Sequence, residues 1–423
     1  MIDLFYFYPE YVAELLDKDQ DQVVYFFGSI LALLCCFTLK HIDGEGPKKT
    51  FSVVTGMLIH FFVFGVCAWI SVAQNLLCFA VMMFWPRETQ HRAVFFTAAG
   101  FLGFAQLYKQ FYMPGENGLD VHMFLMMNFC KVSSLVCSAA DGVKIKRLGK
   151  EKANLKTREL EFANEEGMPN FRDYWAYLFF CGGSISGPWF EFRDFQDYMR
   201  GRKHYERIPS TYGPAIRRVF DCAGCIVFQS LCNAHFKQWY MITDEFAALS
   251  VPSKFYYMLG VMLYRLSTYC VGFCLMESGP IASGLGFNGY DAEGNAKHDR
   301  VKCVDIGGLV FAHRVKDFLA CWNISVHHWL KYYVFMRMLS NEKKGGTAMA
   351  GLATFLCSAI WHGFYPGYLS FFFGAFLMDY NNKVAASVVG PLFAGWCPDW
   401  VQGYAVELFY YLCCSYFAVG FFL

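Results

Sequence analysis

Long apolar runs separated by short polar or basic segments dominate this chain, and runs of that length predict membrane-crossing helices. Candidate spans are Val23 to Leu39, Ser52 to Ile70, Val72 to Trp85, Ala93 to Leu107 and Val121 to Ala139. Further apolar stretches are Tyr174 to Phe190, Val219 to Phe236, Phe255 to Met276, Phe311 to Met338, Thr347 to Tyr380 and Tyr404 to Leu423. Thr347 to Tyr380 is too long for one span: as a single helix it would run about 50 Å, against a hydrocarbon core of roughly 30 Å. Gly363, Pro366 and Gly367 fall inside it, so the helix is expected to break just after His362. Several other runs are short or polar for simple spans. The pattern predicts an all-α, polytopic membrane bundle of about eleven elements, some broken or re-entrant.

Composition points the same way. Of 423 residues, 56% are hydrophobic, 19% aromatic and only 17% charged, far from a soluble domain. No Pro- or Ser-rich linker divides the chain, so residues 1–423 read as one domain. A net charge of +1 gives no reason to invoke nucleic acid, but the charges are unevenly placed. Asp3, Glu10, Glu14, Asp17, Asp19 and Asp21, against Lys18 alone, precede the first run; Lys40, Lys48 and Lys49 follow it. Arg87 and Arg92 follow the third run, and Lys144, Lys146, Arg147, Lys150, Lys152, Lys156 and Arg158 follow the fifth. Basic loops after odd-numbered spans put those loops in the cytosol and the amino terminus in the lumen. The Lys144 to Arg158 run reads as a solvated helix near lipid head groups.

The eighteen cysteines mostly lie inside apolar runs, as in Cys35/Cys36 and Cys413/Cys414, and behave as small hydrophobes rather than a disulfide framework. Cys222 and Cys225 form an isolated C-x-x-C with no second pair. The acidic, aromatic start has no cleavable signal peptide pattern, and no internal repeat stands out.

Two polar positions in apolar surroundings carry the candidate chemistry. His362 lies in Ser-Ala-Ile-Trp-His-Gly-Phe-Tyr-Pro-Gly-Tyr, and an ionisable group at bilayer depth is costly enough to face protein or a watery cavity. Asn323 lies in Cys-Trp-Asn-Ile-Ser-Val-His-His-Trp-Leu-Lys-Tyr-Tyr-Val-Phe; at helical spacing Asn323, His327, Lys331 and Arg337 would share one polar face. Buried imidazole and carboxamide groups can simply hydrogen-bond neighbouring helices. A histidine beside a helix break, with a polar helix close in sequence, instead suggests a neutral imidazole able to take a proton from a hydroxyl. Ser358 could be imagined as a nucleophile, but no nearby carboxylate would orient the histidine. His327 and His328 point in different directions on a helix, so no metal is expected.

The strings around Asn323 and His362 resemble the two signature motifs of the membrane-bound O-acyltransferase family, in its lysophospholipid acyltransferase branch. The resemblance extends to Gly-Leu-Gly-Phe-Asn-Gly-Tyr-Asp from Gly284, to Gly-Gly-Ser-Ile-Ser-Gly-Pro-Trp-Phe-Glu-Phe from Gly182, and more loosely to Val121 through Asp141. It implies a bundle around an intramembrane chamber in the endoplasmic reticulum, with His362 and Asn323 as the catalytic pair. Acyl-CoA would be the co-substrate, with no other cofactor, and a lysophospholipid from the membrane the acceptor. Trp322, Trp361, Phe364, Tyr365 and Tyr368 flank the pair and could shape an acyl channel, while Lys331 and Arg337 could reach the phosphates of CoA. Pro188 and Glu191 would belong to a bent chamber wall. A sterol, diacylglycerol or peptide acceptor is the nearer alternative, and a lipid transporter or scramblase the more distant one.

Overall fold

The computed structural model describes residues 11–14, 19–86, 89–113, 120–312, 315–341 and 346–393. The expected span Tyr404 to Leu423, the Cys413/Cys414 pair, Arg87 and most of the acidic amino-terminal segment lie outside the described residues. Among the described residues the regular structure is helical, apart from a single bridge between Tyr290 and Ala296. Four stretches among the described residues are long and apolar enough to cross a membrane: Gln20–Leu39, Glu45–Phe84, His122–Leu148 and Val251–Ser283. This is an all-α, multi-pass membrane protein.

The chain divides into two compact units, one formed by Met1–Arg218 and Leu275–Lys302, the other by Val219–Cys274 and Cys303–Leu423. The first begins with α1 (Gln20–Leu39), α2 (Glu45–Phe64), α3 (Ala68–Phe84), α4 (Gln90–Tyr112) and α5 (His122–Leu148). Each follows an expected span, with the largest shifts in α2, which starts and ends six or seven residues earlier than Ser52 to Ile70, and in α5, which runs nine residues past Ala139. Gly44 and Gly65 bound α2 at positive φ, and Asp120 accepts from the His122 backbone N–H at the start of α5. Helix α5 packs on α3 and α4. The short α6 (Thr157–Phe162), α7 (Phe171–Leu178) and α8 (Phe192–Arg200) follow.

Tyr174 to Phe190 is not a membrane span. Helix α7 stops at Leu178, and the chain continues through a tight turn at Cys181–Gly183 and a cis Gly187–Pro188 bond before α8. Hydropathy misleads here because the segment is buried by protein: every residue from 176 to 192 is at most partly exposed and nearly all are fully enclosed. Backbone carbonyls at such depth need internal partners, and they have them. Lys131 donates to the Leu178 carbonyl (3.3 Å), His60 Nδ1 to that of Ser184 (2.7 Å) and the Tyr177 hydroxyl to that of Phe190 (2.5 Å). The Ser52 hydroxyl accepts from the Cys181 N–H, and Trp189 Nε1 donates to Ser134. Glu191, buried beside Pro188, pairs with Arg158 at 2.9 Å.

Gly56 of α2 lets this irregular segment come close, since a Cβ there would stand 2.1 Å from the Phe179 carbonyl oxygen. Gly56→Ala is therefore expected to destabilise the fold by about 1–3 kcal/mol, the usual range for overpacking. A lower thermal midpoint of the detergent-purified protein would be the readout; an unchanged midpoint would mean that α2 can move away freely.

The remaining helices are α9 (Tyr212–His235), α10 (Asp244–Ala248), α11 (Val251–Ser283), α12 (Ile306–Val310), α13 (Val315–Cys321) and α14 (Ile324–Trp329). A π-helical turn, Leu330–Phe335, leads into α15 (Met336–Asn341), α16 (Gly346–His362) and α17 (Pro366–Phe393). The expected run Phe311 to Met338 is thus several short pieces rather than one helix. In the second unit α16 packs on α17 and on the π turn, and α13 packs on both α14 and α17.

Candidate functional site

Helix α16 is apolar along its length and ends on His362. Gly363 closes it, donating its N–H to the Ala359 carbonyl at 3.1 Å, and adopts φ +135°, which an L side chain rarely reaches. Pro366 then starts α17, where a missing N–H is no loss. The break expected after the histidine is therefore present, and it turns the chain back so that α17 lies against the imidazole. The His362 ring stacks on Phe372 (5.0 Å between centroids, 27°) and lies near Tyr368 (5.7 Å) and edge-on to Trp361 (4.8 Å). Trp361 is buried, His362 and Phe364 partly so, and Tyr365 is exposed with its ring edge-on to Tyr368.

Asn323 does not sit on a helix face. It occupies the joint between α13 and α14 in the left-handed conformation, φ 41° and ψ 51°. Backbone hydrogen bonds hold the joint: the Ile324 N–H donates to the Cys303 carbonyl (2.7 Å), and the Asp305 N–H to that of Cys321 (3.0 Å). Asp305 also caps α12 through the Gly308 N–H, which ties down the incoming strand of chain. Asparagine is among the few residues that tolerate this backbone, and non-glycine residues held there are enriched at functional sites. Its Oδ1 is buried and accepts no hydrogen bond from the protein. A buried acceptor left so is expensive and awaits a donor.

The aromatic side chains connect the two positions. Trp322 stacks on Phe318 (5.9 Å, 17°) and meets Phe273 (5.1 Å) and Tyr269 (5.6 Å) of α11 edge-on. Tyr269 in turn lies within electrostatic reach of Tyr368, which faces His362. A series of aromatic contacts from α11, α13 and α17 thus runs from Trp322, the residue before Asn323, to His362. Sequence reasoning missed Tyr269, Phe273 and Phe372; the four-residue spacing of Tyr269 and Phe273 was the available signal, and it is shared with ordinary packing.

The expected polar face joining Asn323, His327, Lys331 and Arg337 does not exist as one helix, because the left-handed joint precedes α14 and the π turn follows it. Lys331 is exposed within the π turn, with its ammonium 5.3 Å from the Tyr332 ring. Arg337 lies on α15 with its guanidinium 5.2 Å from the Tyr333 ring. Each cation is thus laid against an aromatic neighbour, while His328 faces Tyr332 (5.8 Å). A π turn is uncommon and often marks a functional position. Here it packs against α16, the helix that carries His362.

The family model for the membrane-bound O-acyltransferase family matches residues 77–384, a range that includes both Asn323 and His362. Lysophospholipid acyltransferase 1 of Arabidopsis thaliana is 33% identical over 67% of this chain and 63% of its own length. Lysophospholipid acyltransferase 2 of the same plant is 30% identical over 84% of this chain and 78% of its own length. Membrane-bound glycerophospholipid O-acyltransferase 2 of Homo sapiens is 26% identical over 85% of this chain and 70% of its own length. The chain spans less than two thirds of the first of these relatives.

Proposed function

Since the chain belongs to the membrane-bound O-acyltransferase family, we propose that it transfers a long-chain acyl group from acyl-CoA to a free glycerol hydroxyl of a lysophospholipid, with His362 as general base. The names of its relatives support a lysophospholipid as acceptor. Imidazole has an ordinary pKa near 6.5, so its neutral form is available at physiological pH to take the hydroxyl proton. As the proton leaves, the oxygen attacks the thioester carbon; a C–O bond forms and the C–S bond breaks. The imidazolium returns its proton to the departing thiolate, giving CoA and a diacyl phospholipid. No acyl-enzyme and no cofactor other than the acyl-CoA co-substrate is needed.

One observation carries the role of Asn323: the atom without a partner is its acceptor, Oδ1, in a joint whose backbone is pinned on both sides. An acceptor cannot stabilise negative charge on the carbonyl oxygen, and the one proton of the attacking hydroxyl goes to His362, so Oδ1 of Asn323 would accept from another donor of the bound substrates, such as an amide N–H of the CoA arm, and hold the thioester in place. Trp322, Trp361 and Tyr365 would shape the space beside the acyl chain, and Lys331 and Arg337 would meet the phosphates of CoA as cationic donors. The setting would be the endoplasmic reticulum membrane, with basic loops facing cytosolic acyl-CoA and the amino terminus in the lumen.

The test uses detergent-purified protein given acyl-CoA with each of several lysophospholipids, a sterol, diacylglycerol and an acceptor peptide. Thiol release and product mass are followed together. Turnover with at least one lysophospholipid is expected; turnover confined to another acceptor would move the reading to that class, and no turnover with any would end it.

A further inference from the structure

We propose that the cytosol-type basic ledge at the end of α5 is a binding surface for anionic phospholipid head groups. The ledge belongs wholly to the first unit and includes none of the residues assigned to acyl transfer. Counted from Val121, about 20 residues cross a hydrocarbon core of roughly 30 Å and end near Ala140. Lys144 and Arg147 then stand about 6 and 10 Å farther along the axis, within or just beyond a head-group layer a little over 5 Å thick. Lys144, Lys146, Arg147, Lys150 and Lys152 are all exposed, and Val143 and Leu148 expose apolar surface on the same turns (49% and 43%). Apolar and cationic groups intermixed at that height match the boundary between acyl chains and head groups.

The charges are available. Three nearby carboxylates are engaged elsewhere, Glu166 in a two-pronged contact with Arg200, Glu191 with Arg158 and Glu159 with the Lys156 backbone N–H, while Glu165 pairs with Lys150 of the ledge at 3.5 Å. Among the described residues, Lys144, Lys146, Arg147 and Lys152 have no carboxylate partner, and Glu151 and Glu161 are the acidic groups left exposed nearby. Five cations against Glu151, Glu161 and Glu165 leave the ledge net positive. The ledge is also built rather than loose. Ile145 of α5 packs with Ala153 and Ala163, joined by Leu155 and Leu160, and the Asn164 N–H donates to the Ser138 carbonyl at 2.8 Å. The segment that follows α5 is folded back onto it, so the cations are held at a fixed height and not spread along a flexible tail. Favourable placement of cations at a helix C-terminus explains Lys146 and Arg147 in part, but not Lys150 and Lys152 beyond it.

Each basic residue near an anionic surface favours association by about fivefold. The experiment compares full-length protein in nanodiscs of neutral phosphatidylcholine with and without one-fifth phosphatidylserine, then counts retained lipids by native mass spectrometry. Wild type is expected to retain phosphatidylserine at least tenfold above its share in the bilayer, and a Lys144→Gln/Lys146→Gln/Arg147→Gln variant to lose most of that excess. Added salt should lower it too, because exposed charges are screened. Acyltransfer in the neutral nanodiscs checks that the variant is folded and should be unchanged. Wild type retaining the two lipids in proportion to their supply would overturn the proposal, as would a folded variant that keeps the excess.

Discussion

Replacing His362 with alanine is expected to lower the rate of CoA release by 10²- to 10⁴-fold, the usual contribution of a positioned general base. That corresponds to about 3–5 kcal/mol of transition-state stabilisation. Alanine would also remove a ring stacked at 5.0 Å on Phe372, so lost packing could imitate lost chemistry. His362→Phe separates the two: it keeps an aromatic ring beside Phe372 and Tyr368 but has no atom to accept a proton. Both variants should lose turnover by similar factors, while the phenylalanine variant keeps the thermal midpoint and the apparent affinity for acyl-CoA. The wild-type rate should fall as pH drops and the imidazole becomes protonated, and the residual rate of either variant should lack that acidic limb. Full turnover by a folded His362→Phe protein would remove the histidine from the reaction.

The break behind this prediction was legible because its causes are local. Gly363 and Pro366 interrupt the helix whatever surrounds them, and the structure ends α16 on His362 as they require, while Gly367 is taken into α17. Asn323 was legible as a residue and not as a conformation. Its spacing to His327 and Lys331 fits a continuous helix, and the partners that hold it left-handed, the Cys303 carbonyl and the Asp305 N–H, come from about twenty residues earlier in the chain. The same limit explains Tyr174 to Phe190. Hydropathy registers that these side chains avoid water, but it does not say whether lipid or protein surrounds them; only His60, Lys131 and Ser52, brought from α2 and α5, answer that. Local interruptions are written in the residues that make them, whereas a backbone stabilised from afar leaves almost no mark at its own position.

That nonlocal origin makes Asn323 a position where geometry and chemistry can be pulled apart. Asn323→Ala loses the Oδ1 acceptor and also forces a side chain poorly suited to φ 41° into the joint, at about 1–2 kcal/mol. Asn323→Gly loses the same acceptor without that strain, because glycine adopts positive φ freely. If Asn323 positions the thioester, both variants should lose about 10²-fold in turnover, a typical cost of misplacing a reacting group. Their stabilities should differ, with the glycine variant near wild type and the alanine variant melting lower. Asn323→Asp keeps an oxygen acceptor of the same reach and should lose less turnover than either. If instead the residue serves only to shape the joint, turnover would follow stability: glycine would be nearly as active as wild type, and alanine impaired. A folded Asn323→Gly protein at full speed would therefore assign the asparagine to backbone geometry and leave the thioester to be positioned by another group.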